Sequence, residues 1–175
     1  MQWHVKRGDI LDIPADVLIC SGNVWLNLSG GVGGAILLRY GPEMQHELHR
    51  YLENQKAKHV APGEVVVTTS CGTPYLRVVH AVAIDAFYQT NVALVQKTLQ
   101  MALAAAAATS AGTVALAALA TGYGHMNMSA FADALRPCLA MDFPPIQRVV
   151  IGLRSASDVD ELITECSEIA LLSAN

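Results

Sequence analysis

Positive charge is scarce in this chain. Eleven Lys and Arg stand against fifteen Asp and Glu in 175 residues, a net charge of -4. A protein that grips nucleic acid by neutralising phosphates carries a basic face. None is visible, so DNA and RNA are not expected partners. Any anionic ligand must be held by backbone amides rather than by Lys and Arg. Cysteine is sparse and unpatterned: Cys20, Cys71, Cys138 and Cys166 form no Cys-x-x-Cys pair. Free, mostly buried thiols in a reducing cytoplasm are the expectation. A membrane-crossing run is missing as well. Met1 to Gly8 carries charges and no apolar segment of the signal-peptide kind. The longest apolar stretch, Leu99 to Ala120, is alanine-rich and broken by Gln100, Thr109, Ser110, Gly112 and Thr113. Charged residues make up 15% and apolar residues 53%, which excludes global disorder.

What is present reads as alternating strands and helices in one domain spanning residues 1–175. Strands are expected at Trp3–Arg7, Asp16–Cys20, Glu64–Thr69, Leu76–Ile84, Thr113–Leu119 and, as the last, Gln147–Leu153. The third and fourth should be neighbours. Helices are expected at Ala35–Tyr40, Glu43–Gln55 and Thr90–Ser110, then from a Ser129 cap to Ala140. A final one should run from a Ser157 cap over Asp158–Leu172, with acidic residues in the first turn as the helix dipole favours. The alternation implies an α/β domain with a mainly parallel sheet covered on both faces.

Two glycine-rich loops follow buried strands. The first is Ser29-Gly30-Gly31-Val32-Gly33-Gly34, the second Thr121-Gly122-Tyr123-Gly124. In open α/β sheets ligands bind beyond the carboxyl ends of the strands. Glycine there lets backbone N–H groups approach a phosphate unobstructed. The first loop is neither a Walker motif nor Gly-x-Gly-x-x-Gly, since Ile36 stands where the third glycine would fall. Close helix packing is the competing explanation for such glycines. Two loops together could clasp a diphosphate from both sides, with Tyr123 offering an aromatic face and a hydroxyl.

In this order the motifs resemble the macro domain family, which binds ADP-ribose. Gly8-Asp9-Ile10 is similar to the family's Gly-Asp-Ile after the first strand. Cys20-Ser21-Gly22-Asn23 stands where the family carries Asn-Ala-Ala-Asn. Gly30-Gly31-Val32-Gly33-Gly34-Ala35-Ile36 resembles its Gly-Gly-Val-x-x-Ala-Ile. Gly41-Pro42-Glu43, Gly63-Glu64-Val65-Val66-Val67-Thr68, Val78-Val79-His80 and the second loop follow in family order. Each motif is weak alone; the ordered set covers nearly the whole chain.

The resemblance implies a three-layer α/β/α sandwich with a mixed, mostly parallel sheet. It implies that Asp9 accepts from the adenine amino group while the Ile10 N–H reads the base. Gly30, Gly31, Val32 and Gly33 would hold the diphosphate together with Thr121, Gly122, Tyr123 and Gly124. Asn23 would bond the distal ribose hydroxyls, and Ser21 would be a further ligand-binding residue. The partner would be ADP-ribose or a related nucleotide, free or on ADP-ribosylated proteins, with no cofactor.

The chain also departs from the family. The mono-ADP-ribosyl hydrolase subfamily carries an Asp after Gly-Gly-Val, and here that residue is Gly33. The first Asn of Asn-Ala-Ala-Asn is Cys20, and the second loop is one residue short. Gly152 and Leu153 stand near the position from which some members stack an aromatic on adenine. Recognition of ADP-ribose is therefore the leading reading. The alternative is a hydrolase of ADP-ribosylated protein, O-acetyl-ADP-ribose or ADP-ribose 1″-phosphate, with Asn23 and His125 as its candidate catalytic residues.

Other polar residues are read as structural. His46 and His49 lack a third metal ligand. His80 fits a satisfied core histidine, and Cys20 a buried thiol without a base.

Overall fold

The computed structural model describes residues 1–172. A seven-stranded sheet runs in the order β3-β4-β2-β5-β6-β1-β7. The strands are β1 (Gln2–Arg7), β2 (Val17–Ser21), β3 (Val65–Thr68), β4 (Arg77–Ala81), β5 (Thr113–Ala117), β6 (Arg148–Leu153) and β7 (Ile169–Leu171). Only β3 is antiparallel to its neighbour, β4; the other pairings are parallel.

Side chains alternate across the central strands. Val17 and Ile19 enter one core, Leu18 and Cys20 the other. The first core is covered by α3 (Val92–Ala108), α4 (Met128–Leu139) and α5 (Ala156–Glu165). The second is covered by α1 (Gly31–Tyr40), α2 (Glu43–Asn54) and a 3-10 turn at Ile10–Asp12. This is the expected three-layer sandwich. Helix α3 shows how the packing works. Asn91 caps it through the Leu94 N–H at 2.9 Å. Val95, Leu99, Ala102, Leu103 and Ala106 fall on one fully buried face. Truncating Leu99 to Ala there should cost ~2–5 kcal/mol.

Four local expectations need correction. Helix α1 begins at Gly31, not Ala35; packing overrides the poor helix propensity of its glycines. The α4 cap is Asn127, whose Oδ1 accepts from Ala130 N–H at 2.8 Å, while Ser129 lies inside the helix. Helix α5 is capped by Ser155 rather than Ser157 and stops at Glu165. The residues beyond it form β7, which pairs with β1, so β6 is not the last strand. A free edge of β1 recruits that segment, and no local period reveals such an edge.

At the amino-terminal ends of the strands, Asp16 ties β2 to β5. Its Oδ2 accepts from Gly112 N–H, Thr113 N–H and the Thr113 hydroxyl at 2.8–2.9 Å. Burial raises the Asp16 pKa, but these bonds outweigh it and hold the carboxyl below its ordinary 3.8.

Candidate functional site

The chain leaves β2 toward β4 on one side and leaves β5 toward β6 on the other. The gap between β2 and β5 is thus a topological switch point, where open α/β sheets bind ligands. Both glycine loops emerge there. A cavity of about 400 Å³ lies over this point. Its wall draws on residues beyond the carboxyl ends of five adjacent strands: β4, β2, β5, β6 and β1. Four strand spacings make it roughly 19 Å long.

Ile10, Ser21, Asn23, Gly30, Gly31, Val32, Gly33, Thr121, Gly122, Tyr123 and Gly124 all line this cavity. Asp9 and His125, the two other expected site residues, do not. Asp9 stands between two lining residues, Gly8 and Ile10. Its Oδ1 accepts from the Leu11 N–H at 3.0 Å, capping the 3-10 turn. Its Oδ2 pairs with Arg39 at 3.2 Å and Arg154 at 3.5 Å. A carboxylate has about four lone-pair sites, so Asp9 can accept a further donor. His125 is exposed and lines an adjoining open depression that shares Tyr88, Tyr123 and Gly124 with the cavity.

The first loop runs directly into α1. Its N-cap is Gly30, which has no side chain to cap the helix, and the first turn holds no acid. The earliest helical turn bond closes from Gly34 N–H to Gly30 O at 2.9 Å. The N–H groups of Gly31, Val32 and Gly33 therefore face the cavity without a backbone acceptor among the described residues. Such a helix end attracts an anion through both its free donors and its dipole. Gly31 has φ 55°, a left-handed backbone that favours glycine.

Tyr123 from the second loop lies against Gly30. A Cβ on Gly30 would run into its ring and hydroxyl, so glycine is what allows the two loops to meet. In the second loop, Thr121 to Gly124 likewise donate to no backbone carbonyl among the described residues. Ala120 (φ 63°) and His125 (φ 51°) bend this loop, and Tyr88 (φ 63°) borders the same cavity. Strained backbone of this kind gathers at functional sites. The cavity wall carries one cation, Arg154, and one carboxylate, Asp158, among the described residues. Backbone N–H groups supply most of the positive field at the two loops.

Two polar residues near the cavity are inert. Burial pushes the Cys20 thiol up to about 12 and the His80 imidazole down to about 4. The strand register sets the two opposite each other, with Sγ 3.7 Å from Nδ1, and His80 Nε2 lies 3.1 Å from the Thr68 hydroxyl. A neutral thiol beside a neutral imidazole is not an activated nucleophile. His80 is the satisfied core histidine expected. Asn27, Tyr88 and Arg154 also line the cavity. No motif marked them, because loop closure in three dimensions brings them there.

An α/β fold with a long cleft walled by free backbone donors defines a binder of elongated anionic ligands. The macro domain model matches residues 21–135. A macro domain-containing protein of Streptomyces griseus is 31% identical over 148 residues, 83% of this chain and 84% of that protein. An O-acetyl-ADP-ribose deacetylase of Enterobacter sp. (strain 638) is 34% identical over 134 residues, covering 74% and 72%. Among solved structures, a variant Oceanobacillus iheyensis macrodomain with ADPR superposes at TM-score 0.84 with 22% identity, covering 93% of this chain and 90% of that one. The Trypanosoma brucei macrodomain in complex with ADP-ribose gives 0.77 with 18% identity, covering 93% and 68%. The chain belongs to the macro domain family.

Proposed function

We propose that this protein is a single domain that binds ADP-ribose, free or attached to protein, through the cavity across its sheet. One observation carries the reading: two sets of free backbone N–H groups come together at the switch point of a cleft roughly 19 Å long. That length suits a nucleoside, a diphosphate and a second sugar end to end. The base takes the end formed by Ile10, Gly152 and Leu153. There the Ile10 N–H has no backbone acceptor among the described residues and is free to meet a ring nitrogen. Asp9 accepts the exocyclic amino group. Gly30 to Gly33 and Thr121 to Gly124 hold the diphosphate, and Ser21 and Asn23 meet the distal ribose. The relative named for O-acetyl-ADP-ribose deacetylation supports this ligand class. Four free thiols fit the cytoplasm as its compartment, and no described helix is long and apolar enough to cross a membrane.

Binding is favoured over hydrolysis by the chemistry of the wall. General-base catalysis needs a side chain within hydrogen-bond reach of the attacking water. Gly33 offers none, and the one lining carboxylate among the described residues, Asp158, stands at the β6 end, where the base is placed. Calorimetric titration with ADP-ribose, ADP and AMP tests the reading. ADP-ribose should bind tightest and AMP weakest; equal affinity for AMP and ADP-ribose overturns it.

A further inference from the structure

The loop between β2 and α1 is clamped from outside by helix α2. Gln45 Oε1 accepts from the Leu28 N–H at 2.6 Å, and its Nε2 donates to the Leu26 carbonyl at 2.9 Å. Residue 27 is thereby held between two fixed neighbours. One helical turn on, His49 places Nε2 at 2.9 Å from the Asn27 Oδ1. The backbone of Asn27 is fixed from the other side by Asn23. Asn23 Oδ1 accepts from both Trp25 N–H and Asn27 N–H at 3.1 Å, and its Nδ2 donates to Asn27 O at 2.7 Å.

These bonds decide what each amide has left to offer the ligand. A side-chain amide has four hydrogen-bonding positions. Three of those of Asn23 are used inside the loop, leaving one N–H. Asn27 lines the same cavity, and its Nδ2 makes no hydrogen bond among the described residues. Because His49 occupies the oxygen, the NH2 group is the part of the amide left to donate. The β4 and β2 end of the cavity, where Asn23 and Asn27 lie, is the end beyond the two glycine loops.

We propose that Asn27, oriented by His49, is the amide donor that selects a hydroxylated sugar beyond the diphosphate. The inference rests on the ADP-ribose reading above and names a specificity residue within that site. His49 is a positioning residue that never touches the ligand. Its Nε2–H donates to the Asn27 Oδ1 and so keeps the amide oxygen from the ligand.

The test is titration of ADP-ribose and ADP into the whole protein and three variants, with thermal melts alongside. Asn27→Ala should weaken ADP-ribose about tenfold, the loss of ~1.4 kcal/mol, and leave ADP within about twofold, because ADP has no distal sugar. His49→Ala should weaken ADP-ribose about threefold with ADP unchanged. His49→Gln, whose amide N–H can reach the same oxygen, should restore wild-type affinity. Equal losses for both ligands would assign Asn27 and His49 to loop stability alone and overturn the proposal. So would ADP-ribose affinity unchanged in Asn27→Ala. A wild-type protein that binds neither ligand overturns the nucleotide reading and this inference with it.

Discussion

The two glycine loops look alike in sequence and differ in how the fold uses them. The first passes straight into α1, whose N-cap glycine supplies no side-chain bond. The second turns away through Gly124 and His125 and reaches α4 only after Asn127, which caps that helix with its own side chain. The first loop therefore brings a helix dipole and unpaired first-turn donors to the cavity, and the second brings loop amides alone. Its tyrosine then lies on Gly30 and closes the gap between them. The lesson is that a glycine cluster does not define its electrostatics. The residue that caps the following helix, and where it sits, does that.

A carboxylate placed in each loop should break this symmetry most visibly. Val32 lies in the first turn of α1 and lines the cavity. Val32→Glu should weaken ADP-ribose about 100-fold, or ~2.7 kcal/mol, because a carboxylate there complements the dipole and occupies the anion's donors. Calorimetry checks this, with a denaturant melt alongside because Val32 also packs against the second core. Unchanged ADP-ribose affinity in the folded variant would mean that the helix end is not the anion site.

Gly33→Asp sharpens the comparison between binder and hydrolase. A Cβ there would sit 3.2 Å from the Leu28 side chain and 3.4 Å from its Cα. The variant should lose ~1–3 kcal/mol to overpacking, measured by denaturation. Removal of ADP-ribose from a modified acidic side chain should appear only when Leu28→Ala relieves the crowding. The rate is read by release from a labelled protein.

Asp16 supplies the contrast between the two ends of the strands. Asp16→Ala should cost ~1–3 kcal/mol, because Gly112 and Thr113 lose their acceptor. ADP-ribose affinity should not change. The folded carboxyl titrates below its ordinary 3.8, so its contribution is complete above that value and is lost as pH falls through the lower folded value. Wild-type stability should therefore fall more steeply than the variant's below about pH 4. Parallel acid melts would remove Asp16 from that role.

The smallest effect should come from the second loop. A Cβ on Gly122 meets open space, so Gly122→Glu should fold normally. With no helix beginning there it should gain no stability. ADP-ribose should weaken about three- to tenfold, or ~0.7–1.4 kcal/mol. A loss equal to that of Val32→Glu would show that both loops carry the same field.

Much of this protein was legible along the chain. The strand–helix alternation announced the layered sheet, and the order of glycine motifs located the cavity and most of its wall. Those features are local: periods of apolar residues and glycines beside strands survive in any reading of the sequence. Other features were set only when distant segments met. The last strand exists because β1 presents an open edge to Ile169–Leu171. The carboxylate of Asp9 is engaged by Arg39 and Arg154, thirty and 145 residues away. Asn23 spends three of its four hydrogen-bonding positions on its own loop, while Asn27, unmarked by any motif, is oriented by His49 from the next helix but one in sequence. Residue type and spacing determined which groups could bind an anion. Tertiary packing decided which of them remain unpaired, because a donor is available to a ligand only after the fold has used the rest.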